Sequence, residues 1–126
     1  MGSNLVKKIF VVDDDEMLSM ALEDYLKRKT LHEIQLFGTG EECLRHLKDG
    51  PDIIVLDYNL NSVYKDAANG MQILESIRKM DAHIKVIMLS SQEAYGTALQ
   101  TISKGATEYI IKDEDAFEKI AVLCNS

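Results

Sequence analysis

The sequence predicts an open α/β domain, a parallel sheet wound with helices on both faces. Three observations carry this. Five short apolar runs, most of them continuous rather than alternating, suit strands covered on both sides. Each run is followed by a stretch with helical spacing, so the chain reads as five β-α units, and that alternation predicts parallel strands. No linker or low-complexity segment interrupts the 126 residues, a length suited to one domain with a proper core. The domain is expected over residues 4–126, with Met1-Gly2-Ser3 read as an expression remnant.

The first strand is expected at Ile9–Val12, followed by a helix whose stripe is Leu18, Ala21, Leu22, Tyr25 and Leu26. The second strand, Ile34–Phe37, leads to a helix marked by Gly40, Cys43, Leu44 and Leu47 and stopped at Gly50-Pro51. Ile53–Leu56 is the third strand, and Asn69-Gly70 opens a third helix along Ile73, Leu74, Ile77 and Met80. The fourth unit joins Ile84–Leu89 to a stripe of Ala94, Tyr95, Ala98, Leu99 and Ile102, closed by Gly105. The fifth joins Tyr109–Ile111 to Ala116, Phe117, Ile120, Ala121 and Cys124.

Composition excludes some function classes. Net charge is −7, with 21 acids against 14 Lys plus Arg, which disfavours a general binder of nucleic acid. No apolar run approaches 18 residues and no signal peptide is visible, so no membrane association and a cytoplasmic location are expected. Cys43 and Cys124 show no metal spacing and are read as reduced core residues. His32, His46 and His83 are scattered and are expected at solvated positions.

The first strand runs straight into Asp13-Asp14-Asp15-Glu16. Two carboxylates about 4 Å apart repel by about 4 kcal/mol at an effective dielectric near 20, so the cluster needs a reason. In open parallel sheets ligands bind at the carboxyl ends of the strands, where Asp13 and Asp14 fall. Asp57 ends "DIIVLD", Ser90 ends "KVIMLS" and Lys112 ends "YIIK", so three more polar residues share that address. An Asp after a strand is commonly a turn or helix cap, and a Lys there is commonly solvated. The coincidence at four strand ends favours a site. Clustered carboxylates are tolerable around a hard cation, and Mg2+ takes one or two carboxylates with waters and phosphate oxygens. Asp57 could then attack phosphorus, with Lys112 and Ser90 contacting the phosphoryl oxygens.

"FVVDDDE", "DIIVLD", "VIMLSS" and "GATEYIIK", in that order, resemble the receiver domain of a two-component response regulator, of the chemotaxis-regulator kind, from about Val6 to Val122. The resemblance implies a flavodoxin-like (βα)5 fold with strand order 2-1-3-4-5. It implies that Asp57 accepts a phosphoryl group from the phosphohistidine of a sensor histidine kinase or phosphotransfer protein. Asp14 would ligate Mg2+ directly, Asp13 through a water, and Asn59 through its backbone carbonyl, with Asp57 completing the metal set. Lys112 and Ser90 would hold the phosphoryl group, and Ser90 with Tyr109 would form the switch. Tyr109 also reads simply as a strand aromatic packed on a helix. Asp15 and Glu16 would start the first helix. The readout face would run from Gln92 to Cys124, toward an output domain, a target protein or a homodimer. Such a domain is a phosphoacceptor that assists its own phosphorylation and dephosphorylation rather than an enzyme on a separate substrate. Asn59 and Gln92 occupy positions that tune phosphoryl lifetime in the family.

Two departures stand out. Asn61 replaces the usual proline, and the loop over 61–69, "NSVYKDAAN", exceeds the family length by about five residues. It reads either as a tolerated surface insertion or as a lid or partner-contact loop with Tyr64 and Lys65 near the site. Asp113 follows Lys112 where the family commonly has proline, which puts the usual cis peptide in doubt. Three rival readings are weaker. A phosphatase of the haloacid-dehalogenase type would use Asp13-x-Asp15 but needs Thr or Val where Met17 stands. A phosphorylation-independent pseudo-receiver would not need all five site positions filled. A flavin-binding flavodoxin needs a Gly, Ser or Thr-rich phosphate loop where the acids stand.

Overall fold

Alternate residues of the inner strands point to opposite faces, and both faces are apolar. In this computed structural model, which describes residues 6–91 and 94–126, Phe10, Val12, Ile54, Leu56, Val86 and Met88 share one face. Ile9, Val11, Ile53, Val55, Ile87 and Leu89 share the other. Such strands must be covered on both sides.

The strands are β1 (Lys8–Val12), β2 (Glu33–Phe37), β3 (Ile53–Asp57), β4 (Lys85–Ser90) and β5 (Glu108–Ile111). All neighbours are parallel and the order is β2-β1-β3-β4-β5, the order the sequence resemblance implied. The helices are α1 (Glu16–Lys29), α2 (Gly40–Arg45), α3 (Gly70–Met80), α4 (Tyr95–Ser103) and α5 (Ala116–Cys124). Cys43 of α2 and Ile73, Leu74 and Ile77 of α3 cover the Phe10 face. Leu22 and Leu26 of α1, with Ala116, Ile120, Ala121 and Cys124 of α5, cover the Ile9 face.

Local chemistry sets the helix starts. Asp15 caps α1 by accepting the Leu18 N–H, and Glu16 occupies the first turn, where a negative charge favours the helix dipole. Thr39 caps α2. Asn69 and Gln72 form a reciprocal capping box at α3.

Several expectations need correction. The second helical pattern leaves the α-helix at Arg45 and finishes as a 3-10 turn, Leu47–Asp49, ended by Gly50 at φ 75°. The α4 stripe is not core: Tyr95, Leu99 and Ile102 are exposed, and Thr101 is the buried residue of that helix. Met80 is likewise exposed at the end of α3. His32 and His46 are half-buried rather than solvated. His32 Nδ1 accepts the Lys7 N–H and Nε2 faces Asn125 Oδ1, while the His46 ring packs 5.1 Å from that of Phe37. Cys43 and Cys124 are buried free thiols, as expected. No described helix is long and apolar enough to cross a membrane.

Candidate functional site

The strand order puts β1 between β2 and β3, and β4 beside β3, so the carboxyl ends of β1, β3 and β4 lie side by side. Asp13 follows β1 directly, and its N–H donates to Phe37 O at 3.0 Å, which carries the sheet pairing one residue further. Its Oδ1 accepts the Asp15 N–H at 2.8 Å, an Asx-type turn that aims the side chain back over the sheet. Asp57 is the last residue of β3 and is 2% exposed. Its Oδ1 accepts the Asn59 N–H at 3.3 Å. Ser90, the last residue of β4, is fully buried, and its carbonyl accepts the Lys112 N–H at 2.8 Å.

From that anchor the Lys112 side chain reaches the acids. Nζ lies 3.0 Å from Asp57 Oδ1 and 3.7 Å from Asp13 Oδ2. One carboxylate oxygen from each of Asp13, Asp14 and Asp57 can be chosen within 4.8 Å of the others. The ammonium therefore pairs with two carboxyl groups of a cluster of three. Burial, and then the charge of Asp57, push the Asp13 carboxyl up to about 7. Burial pushes Lys112 down, but the hydrogen bond and charge of Asp57, with the charges of Asp13 and Asp15, outweigh it and move the ammonium upward.

A cleft of about 430 Å3 opens on this cluster, lined by Asp13, Asp14, Asp57, Asn59 and Lys112. Met17, Ser62 and Val63 line it as well. The donors are all hard oxygens, and the negative charge exceeds what Lys112 supplies, so the residues fit Mg2+ or a similar ion. Asn59 lines the same cleft.

The matching sequence family is described as the response regulator receiver domain, and the match covers residues 9–123. The chain belongs to this family. It is similar to the DNA-binding transcriptional regulator NtrC of Azospirillum brasilense, 30% identical over 116 residues. That match takes in 91% of this chain but 23% of the regulator. It is 25% identical over 107 residues to the chemotaxis protein CheY of Thermotoga maritima, covering 84% of this chain and 85% of that one. Among solved structures, the BeF3-activated DrrB receiver domain superimposes with a TM-score of 0.81 at 25% identity and 95% coverage of both chains.

This receiver domain thus gathers Asp13, Asp14, Asp57 and Lys112 into one contact group, with Asn59 on the cleft wall and Ser90 at the adjoining strand end. Tyr109 is on β5, half-buried, and packs against the core cluster of Met88 and Ala106 rather than in the cleft. Gln92 lies outside the described residues. The Lys112–Asp113 bond is trans, like every other described peptide bond. Asp113 has the N–H that proline would lack, and donates it to Ile111 O at 2.8 Å.

Of the two readings of the inserted loop, the lid reading brought Tyr64 and Lys65 near the site; the loop residues on the cleft itself are Ser62 and Val63. Tyr64 lines a neighbouring hollow with Asp13, Asp14 and Ser19, whereas Lys65 lines neither. Ser62 and Val63 reach Asp14 through backbone N–H groups, which every non-proline residue carries, so residue type gave no signal for that contact.

Proposed function

We propose that this receiver domain accepts a phosphoryl group on Asp57 from the phosphohistidine of a histidine kinase or phosphotransfer protein in the cytoplasm, with Mg2+ bound. The observation that carries the reading is Asp57 at the end of β3, 3.0 Å from Lys112 and grouped with Asp13 and Asp14. A carboxylate oxygen of Asp57 forms the new O–P bond while the N–P bond of the donor breaks. The leaving imidazole nitrogen keeps the electron pair and takes up a proton. Lys112 offsets negative charge on the transferring oxygens, and the Ser90 hydroxyl supports the reading as a donor to the phosphoryl group. Asp13, Asp14, Asp57 and the Asn59 carbonyl would hold Mg2+, which supplies electrostatic stabilisation of the phosphoryl oxygens.

The product carries about −1.5 to −2 charge at Asp57. The switch is then a population shift, driven by the differential contacts of Ser90 and Lys112 in two arrangements and read through Tyr109 and α4, β5 and α5. An output domain, target protein or second copy would receive it.

The test is intact mass after incubation with Mg2+ and a small-molecule phosphodonor, or with a purified histidine kinase. One added phosphoryl group is expected, absent from Asp57→Asn and from the metal-free sample. No adduct from either donor, with no Mg2+ binding, would overturn the reading.

A further inference from the structure

The segment over 61–69 is held at both ends by carboxylates that belong to other elements. At its start, the Ser62 and Val63 N–H groups both donate to Asp14 Oδ2, each at 2.9 Å. The Ser62 hydroxyl donates to Asn59 O at 3.2 Å. At its end, the Ala68 N–H donates to Glu41 Oε2 at 2.9 Å, just before the Asn69 cap of α3. The segment is therefore a strap pinned at both ends, with Ser62 and Val63 on the cleft, and it touches two of the groups that the proposed function assigns to the metal.

The way it touches them matters. Both bonds to Asp14 land on Oδ2, and no described hydrogen bond uses Oδ1. The hydroxyl of Ser62 occupies one lone pair of the Asn59 carbonyl and leaves the second. Each group is thus oriented without being blocked. Groups that hydrogen-bond a metal ligand in this manner fix its direction, and losing one commonly weakens metal binding by about 10- to 100-fold.

We propose that Ser62 is a positioning residue for the cation site, and that docking of the strap and binding of Mg2+ favour one another. This rests on the metal assignment of the proposed function and adds a coupling specific to this chain's inserted loop. Linkage requires reciprocity: if the docked strap tightens Mg2+ binding, Mg2+ must hold the strap more firmly by the same factor.

The experiment pairs Mg2+ titration by calorimetry with amide hydrogen exchange at Ser62 and Val63. Ser62→Ala should weaken Mg2+ binding about tenfold, and Ser62→Thr, which keeps the hydroxyl, should restore most of it. Lys65→Ala, on the same exposed segment but off the cleft, should bind as the wild type does. Exchange at both amides should slow when Mg2+ is added. Wild-type binding with an unchanged Ser62→Ala variant would overturn the coupling and leave the metal site standing. Faster exchange with Mg2+ would show competition and overturn it as well. No Mg2+ binding by the wild type would overturn both assignments.

Discussion

Lys112 and Asp57 lie at the ends of non-adjacent strands, yet their side chains meet at 3.0 Å. The contact spans the width of β4: Lys112 is tethered by its backbone to Ser90 and reaches past it to the acids. The ammonium thus sits where negative charge would build up on a phosphoryl group transferred to Asp57.

Replacing Lys112 with Met keeps much of the length and removes the charge. Phosphorylation of Asp57 should slow by about a hundredfold, in the range found when one transition-state donor is lost. Mg2+ binding should survive, because the carboxylates remain. A time course of adduct formation at saturating Mg2+, beside a calorimetric titration, separates the two effects.

The acids repel one another in the absence of a cation. Above about pH 7, where the Asp13 carboxyl is ionised, Asp13→Asn removes one buried charge and retains the Oδ1 that accepts from Asp15. Metal-free stability should rise by about 1 kcal/mol, a fraction of the roughly 4 kcal/mol that two unit charges exchange at 4 Å and a dielectric near 20. The stabilisation that Mg2+ gives the wild type should shrink in the same variant. Urea unfolding with and without Mg2+ measures both.

Gly70 opens α3 where the chain passes the end of β3. A Cβ there would run into Asp57 O and lie 2.7 Å from Tyr58 Cα, both backbone atoms with little room to yield. Gly70→Ala should cost about 1–3 kcal/mol, the usual range for overpacking. It should also slow phosphorylation, since relief of the clash moves the backbone of Asp57. The urea midpoint and the adduct time course should shift together.

Burial pushes the thiols of Cys43 and Cys124 up to about 12 and about 11, from an ordinary value of 9.0. The folded protein therefore keeps protons that the unfolded chain gives up above about pH 9, so stability should fall as pH rises from there. Alkylation at neutral pH should be slow in the native state and fast in denaturant. Labelling kinetics followed by mass spectrometry check this.

The strands were legible because each inner one is apolar on both faces, which leaves little ambiguity of register or depth. Asp57, Ser90 and Lys112 were legible because a polar residue after such a run must lie at the sheet's end. The α4 stripe misled because Tyr95, Leu99 and Ile102 have helical spacing, while the helix buries Thr101 instead. Spacing tells which residues share a face and not which face is covered. Extra residues after β3 were visible as a departure in length, but their pinning to Asp14 was not, because it runs through main-chain donors.

The Gly70 N–H donates to Tyr58 O at 3.0 Å, closing the excursion between β3 and α3 at its base. Within it Asn59 stays at the cleft and Leu60 in the core, so the exposed residues from 61 to 66 are the part whose length can change without moving the strand ends. Such an appendage can be trimmed, lengthened or exchanged between homologous domains while the strand ends keep their spacing. The reacting group and its governor can then change independently.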